Sequence, residues 1–442
     1  MTMNILLHNF RCFSRSKYTI PINPLTIVVG ENSTGKSAFI ASIAALSDMK
    51  RFPLNPGFNS PPFELGSYET IASRKLSGKN ASSFSLGFEE TDEASGKYTK
   101  LLATYIDKLG HVLFSHLNID SDVGQLKVHL DKNNLSLNVA IPEKEGKKKF
   151  IFKMSASSSI SEGFQDDLRG FMMMMVLPVV FKLTQEETPK RKMFKEKLAE
   201  AVFEKLTMLF DRMIVGEMKA LAIAPIRTRP QRTYDTFADD FDPGGSHIPL
   251  RLARILESRG SKKVKRIKAA LKKFGDESGL YKGVNIKKGR SGSAFQIIVQ
   301  IGQQKMNLMD VGYGVSQSLP IIVQCVLGSS KQMILLQQPE VHLHPKAQAA
   351  LGTFFLDLAS NESKNFIIET HSEYLIDRIR REVANKKIKP DTVGILHFEK
   401  SGTHNKVYPI KLDKNGNIKG APASYREFFL DEEMKLLSRG RK

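Results

Sequence analysis

The chain has 442 residues, with 66 lysines and arginines against 46 aspartates and glutamates, a formal net charge of +20, and two cysteines. That length bounds two or three domains with substantial cores, and Cys12 and Cys325, far apart and without metal-ligand spacing, exclude a disulfide framework and a thiolate zinc site. A reducing cytoplasm fits best: the N-terminus (MTMNILLHNFRCF) is too mixed for a signal peptide, and the most apolar run, 171–183, contains Pro178 and is too short to span a bilayer.

In chain order, short strands come first. Residues 25–29 (LTIVV) have an apolar strand pattern, 38–43 (AFIASI) open a helix, and 30–37 between them read GENSTGKS. Strand, glycine loop and helix place a P-loop in the context its chemistry requires, against the alternative of a chance glycine turn. Gly30 and Gly35 let backbone N–H groups approach phosphates, with Asn32, Ser33 and Thr34 between them. Lys36 supplies a cation for the β and γ phosphates and Ser37 a hydroxyl for Mg²⁺, so ATP and Mg²⁺ are the expected cofactors.

From 83 to 154 the pattern changes to brief alternating runs (SFSLGFEE, QLKVHLD, LSLNVAI) punctuated by turns, which predicts an antiparallel meander. Residues 155–161 (SASSSIS) read as a loop into a helical, basic region reaching about Gly292, with a strand-like run at 221–224. Four consecutive methionines at 172–175 suit a core or a pliable interface better than a cofactor site. From Ala294 long apolar runs return, so the expected division is 1–154 with the P-loop and meander, 155–293 as a helical basic insertion, and 294–442 as the second half of the nucleotide domain.

That second half holds three further motifs. Asp310-Val311-Gly312-Tyr313-Gly314 is a glycine turn opening an apolar helix, a helix N-terminus able to receive an anion. The buried-strand run 333–336 ends in Gln337-Gln338-Pro339-Glu340-Val341-His342-Leu343-His344-Pro345, and the run 366–368 ends in Glu369-Thr370-His371-Ser372. Polar groups at the carboxyl ends of parallel strands face the ligand crevice.

This order of motifs resembles the ABC-type ATPase heads related to SMC proteins, and more narrowly the bacterial ATPases grouped as AAA-15 or related to the overcoming-lysogenization-defect ATPases. FELGSYETI (63–71), APIRTRPQRTY (224–234), DVGYGVSQSLP (310–320), QQPEVHLHP (337–345) and ETHSEYLIDRIRR (369–381) carry the narrower match. The resemblance implies an α/β fold, a P-loop core with an antiparallel β-subdomain. It implies that Lys36 and Ser37 bind phosphate and Mg²⁺, and that Gly312, Tyr313 and Gly314 are the signature turn that meets the γ-phosphate held by the opposite protomer. His371 would be the switch histidine. Gln337 and Gln338 fall where such heads carry the Mg²⁺-supporting acid and the catalytic glutamate. An amide orients water or fills a magnesium shell but is no general base, so slow turnover is expected, with Gln337 native or introduced as a nucleotide trap and Glu340 the nearest carboxylate to assist.

The resemblance further implies a homodimer or higher homo-oligomer around ATP and a separately encoded effector, a nuclease, in anti-phage defence, since the chain ends at Lys442 without a TOPRIM nuclease domain. A DNA-repair or chromosome-maintenance ATPase and an ATP-binding scaffold with negligible turnover are the rival readings. The remaining features stay open between two meanings. His342 and His344 have metal-binding spacing but suit loop residues at a protomer interface. Arg227, Arg229 and Arg232 suit phosphate or nucleic-acid contact as well as an ion-pair scaffold. The lysine-rich segments at 147–149, 190–197 and 259–290 read either as solvated helix faces or as a site for an acidic protein or, non-specifically, DNA. No membrane contact is expected.

Overall fold

The structure, a computed structural model, describes residues 2–155 and 220–425 apart from 15–16, 49–50, 76, 132–133, 144–145, 236–239, 259, 290–293, 331 and 403, together with residues 204, 208 and 434. Strands β1 (Thr2–His8), β2 (Tyr18–Ile22) and β3 (Leu25–Gly30) lead into α1 (Lys36–Ser47) and the short α2 (Tyr68–Ile71). Six strands follow: β4 (Ser83–Asp92), β5 (Lys97–Lys108), β6 (His111–Ser121), β7 (Gly124–Asp131), β8 (Asn134–Glu143) and β9 (Gly146–Ser155). Next come β10 (Ala220–Ile223), α3 (Ile248–Glu257), α4 (Lys262–Ser278), β11 (Gly283–Lys288), β12 (Phe295–Ile301) and β13 (Gln304–Asn307). The chain continues with α5 (Tyr313–Leu327), β14 (Met333–Gln337), α6 (Pro345–Glu362), β15 (Asn365–Glu369), α7 (Glu373–Ala384), β16 (Val393–Ser401), β17 (His404–Leu412) and β18 (Ile418–Lys419). Among the described residues no helix is long and apolar enough to cross a membrane.

The chain divides into two compact units. One comprises Met1–Ile22, Ala38–Ala220 and Gly402–His404. Its eight-stranded sheet runs β2-β1-β4-β5-β6-β7-β8-β9. The pairings are antiparallel, as the alternating pattern predicts. Thr99, Leu101, Ala103 and Tyr105 of β5 all point to the buried face, the period of two that a half-covered strand shows. Phe84 stacks on Tyr105 with ring centroids 5.2 Å apart, Phe58 meets Tyr105 edge-on, and the Tyr105 hydroxyl donates to the Pro53 carbonyl at 2.8 Å. A buried phenol is satisfied in this way without opening the core to water.

The other unit comprises Asn23–Ser37, Leu221–Ser401 and Asn405–Lys442. Its seven-stranded sheet runs β10-β14-β15-β3-β16-β17-β18, with β14, β15, β3 and β16 parallel. The near-continuous apolar runs of β3, β14 and β15 follow from burial on both faces. The P-loop strand lies at the centre, one strand removed from β14, so the carboxyl ends of β14 and β15 sit beside the start of α1.

Within the span 155–293, the described residues from Leu221 onward belong to the unit that holds the P-loop strand. β10 forms the edge of the P-loop sheet, and Ile267, Leu271 and Phe274 of α4 belong to the same hydrophobic core as Ile27, Leu336 and Ile368. α4 packs on α5 and α6 because Val264, Ile267, Leu271 and Phe274 form one apolar stripe along it. The Ser261 hydroxyl caps its first turn and Gly279, at φ +74°, ends it. The methionines 172–175 and the basic segment 190–197 lie outside the described residues, as do the side chains of 147–149.

Candidate nucleotide site

β3 ends at Gly30, whose φ is +137° and where a Cβ would fall 2.1 Å from the Phe398 carbonyl oxygen on β16. Glycine is therefore required by the neighbouring strand before any phosphate is considered. Ser33 (φ +63°) and Gly35 (φ +94°) also adopt left-handed conformations, which turn the loop back on itself. Asn32 and Ser33 are exposed, whereas Thr34 is buried, its hydroxyl donating to the Glu31 carbonyl at 2.7 Å. Asn405 Nδ2 on β17 donates to the Thr34 carbonyl at 2.6 Å. Lys36 Nζ lies within the loop, donating to the Gly30 and Glu31 carbonyls at 2.9 and 2.6 Å. Burial pushes its ammonium pKa below the ordinary lysine value, an effect opposed by the charges of Glu369 and Glu31.

Ser37, the second residue of α1, meets a carboxylate. Its hydroxyl lies 3.0 and 3.3 Å from the two oxygens of Glu369, a buried residue at the end of β15. Gln337 at the end of β14 is the register partner of Glu369 and donates from Nε2 to Glu369 Oε2 at 3.3 Å. A hydroxyl and a buried carboxylate together are the hard oxygen donors that suit Mg²⁺. The motif reading assigned no role to Glu369. The signal that finds it is the parallel pairing of 337 with 369, which a scan along the chain does not display.

Gln338 turns into a left-handed conformation (φ +44°). Its N–H donates to the Glu369 carbonyl at 2.8 Å and its carbonyl accepts from Arg227 Nη2 at 3.2 Å. Glu340 is buried, and its Oε1 accepts from the backbone N–H of His371 at 2.8 Å, so this carboxylate braces the β15 loop. Burial raises the Glu340 pKa above the ordinary range against the stabilising His371 N–H, and burial lowers that of Arg227 to about 10 with Glu340 opposing. The His371 side chain is exposed.

The glycine turn Gly312-Tyr313-Gly314 stands at the N-terminus of α5. Gly312 caps the helix, Tyr313 is 52 % exposed, and a Cβ on Gly314 would lie 3.1 Å from the His342 carbonyl oxygen. Tyr313 and His342 rings lie 5.6 Å apart. His344 Nδ1 accepts from the Lys346 N–H at 3.0 Å and so caps α6. Among the described residues no group of three or more histidine, cysteine or acidic side chains is placed to hold a metal ion. Of the three arginines, Arg227 is buried at the β14 loop, Arg229 is exposed, and Arg232 makes a two-pronged pair with Asp310 at 2.6 and 3.0 Å.

The α4 lysines divide between two uses. Arg266 pairs with Glu362, Lys272 with Asp276 and Lys273 with Asp357. Lys262, Lys263, Lys265 and Lys268 are exposed and make no ion pair among the described residues.

The family model described as "AAA ATPase domain", AAA_15, matches residues 1–376. No curated protein matches the chain. Among solved structures, the chain is similar to the Smc head domain with an extended coiled coil bound to the C-terminal domain of ScpA, from Pyrococcus furiosus, at 11 % identity over 100 % of both chains with a TM-score of 0.42. It is similar to the SMC head domain from Thermotoga maritima at 11 % identity, covering 92 % of this chain and 98 % of that one, with a TM-score of 0.40. A SmcHead bound to the C-winged helix domain of ScpA aligns at 12 % identity over 93 % and 98 % of the two chains, with a TM-score of 0.39.

Proposed function

The chain belongs to the AAA_15 family of AAA ATPase domains, and from that premise we propose that it is an ATP-driven switch in which two copies close around ATP and Mg²⁺ and the closed pair controls a separate effector. The observation that carries this reading is the convergence of Lys36, Ser37 and Glu369 on one loop at the centre of the sheet. Phosphoryl transfer to water needs positioning and charge stabilisation more than covalent participation by the protein. Lys36 offers a cation to the β and γ phosphates, and Ser37 offers its hydroxyl to the metal. Mg²⁺, when bound, neutralises charge on the phosphates. Gln338 orients water without removing its proton, so turnover is slow. The turn Gly312-Tyr313-Gly314, exposed at Gly312 and Tyr313, offers backbone N–H groups and a helix N-terminus to a γ-phosphate on a second copy.

The effector is a nuclease and the setting anti-phage defence, as in the ATPases the motifs resemble. The two adjacent amides Gln337 and Gln338 favour one second reading, a nucleotide-binding scaffold with negligible turnover. Light scattering tests the assembly: ATP should double the mass of the wild-type protein. Tyr313→Asp and Lys36→Ala should each abolish the doubling, and their mixture should restore a pair holding one nucleotide. A wild-type protein that stays monomeric with ATP would sink the composite site. Phosphate release from the assembled pair separates a slow ATPase from a scaffold.

A further inference from the structure

P-loop ATPases hold their metal between the loop hydroxyl and one acidic side chain, and the resemblance to ABC-type heads puts that acid at the end of β14. Here that strand ends in Gln337, an amide that adds no negative charge. The carboxylate that reaches Ser37 comes from the next strand. Both oxygens of Glu369 lie within 3.3 Å of the Ser37 hydroxyl, and the Gln337 amide donates to one of them. Because 337 and 369 are partners in a parallel pair, exchanging acid and amide between them keeps one carboxylate and one amide at the same sheet edge. It moves the charge sideways by one strand spacing, about 4.8 Å.

We propose that the acid has changed strands: Glu369 supplies the negative charge that supports the Mg²⁺ of the nucleotide complex, and Gln337 is the positioning residue that holds its carboxylate toward Ser37. Three observations point the same way. Glu369 is 5 % exposed, and a carboxylate so buried requires partners. The partners within hydrogen-bond distance are the metal-ligating hydroxyl and the amide of residue 337. Its negative charge also acts attractively on the Lys36 ammonium, so one side chain addresses both cations of the site. Glu340, the other carboxylate near this strand end, is engaged with the His371 backbone.

The proposal rests on the ATP·Mg²⁺ reading above. Nucleotide affinity is measured by calorimetry in the presence of a chelator, and Mn²⁺ affinity of the nucleotide-bound full chain by electron paramagnetic resonance. Glu369→Gln should retain metal-free nucleotide affinity within about threefold and lose at least about tenfold in Mn²⁺ affinity, the scale of removing an outer-shell carboxylate. Gln337→Glu alone should not tighten Mn²⁺, since it sets a second carboxylate beside an acid already in place. The exchange Gln337→Glu with Glu369→Gln should recover Mn²⁺ binding, and it remains decisive if Glu369→Gln does not fold. Unchanged Mn²⁺ affinity in Glu369→Gln, or no Mn²⁺ affinity in a folded, nucleotide-binding exchange variant, overturns the proposal. A wild-type protein that binds no nucleotide overturns both readings; one that binds nucleotide while Glu369→Gln is indifferent to metal overturns this one alone.

Discussion

Arg227 Nη2 donates to the carbonyl oxygen of Gln338 at 3.2 Å from a side chain only 4 % exposed. A left-handed conformation at a residue with a Cβ costs roughly 1–2 kcal/mol, and this bond, with the Gln338 N–H held by the Glu369 carbonyl, maintains it. The arginine from the 224–234 motif thus shapes the end of the β14 strand through its backbone.

Replacing Arg227 by Met should lower stability by about 2 kcal/mol, the worth of a hydrogen bond from a charged donor, and remove a positive charge that interacts with Glu340. Chemical denaturation with an unchanged slope and an earlier midpoint is expected, together with lower phosphate release as Gln338 relaxes. An unaltered midpoint would remove Arg227 from this role.

Lys36→Ala should cut ATP affinity about a hundredfold, near 2.7 kcal/mol, while the melting temperature of the free protein changes little. The ammonium's two partners are carbonyls at the mouth of the loop, open to water once the side chain is gone. Calorimetric titration reads this directly, and unchanged affinity would overturn the nucleotide site.

His397 on β16 is buried, and desolvation holds its pKa below the ordinary value of 6.5, with Glu399 and Glu31 opposing and Lys36 assisting. The unfolded chain therefore takes up the proton first, and stability should fall as pH drops through about 6.5. His8 and His116 are shifted in the same direction, also by burial, and add to the slope. His397→Gln should flatten the decline in denaturation midpoint between about pH 7 and 5.5 without abolishing it. An identical slope in the variant would show that His397 does not contribute.

Three of the seven α4 cations, Arg266, Lys272 and Lys273, already have acidic partners, which leaves Lys262, Lys263, Lys265 and Lys268 for a polyanion. If all four meet phosphates, duplex DNA affinity should fall about a hundredfold between about 50 and 200 mM salt. Changing the four to glutamate should abolish DNA retention and spare ATP-dependent assembly. Retention at high salt, or in the glutamate variant, would exclude this helix face as the DNA surface.

The strands of the sheet were legible because burial on two faces writes itself as unbroken apolar runs, and the meander because one wet face writes itself as alternation. The P-loop and the α5 turn were legible as local motifs. Glu369 was not, since its meaning depends on which residue lies across the sheet from it. Arg227, open in the sequence between phosphate or nucleic-acid contact and an ion-pair scaffold, is buried, and its basic, proline-containing neighbourhood gives no hint of that. The stripe Val264, Ile267, Leu271 and Phe274 was present in the sequence but masked by lysines, whose number drew attention to the solvent face of α4 and away from the face that joins the core.

The contact of Gly30 with the Phe398 carbonyl and the grip of Asn405 on Thr34 have one consequence for ligand entry. Two successive strands, β16 and β17, clasp the loop at its start and near its middle, so its conformational entropy, about 1–2 kcal/mol per residue, is lost when the protein folds. A nucleotide arriving at such a loop meets a finished mould. On the proposed ATP reading, its affinity reflects the phosphates it carries, and discrimination between triphosphate and diphosphate is left to Lys36 and to the second copy that closes over the γ position.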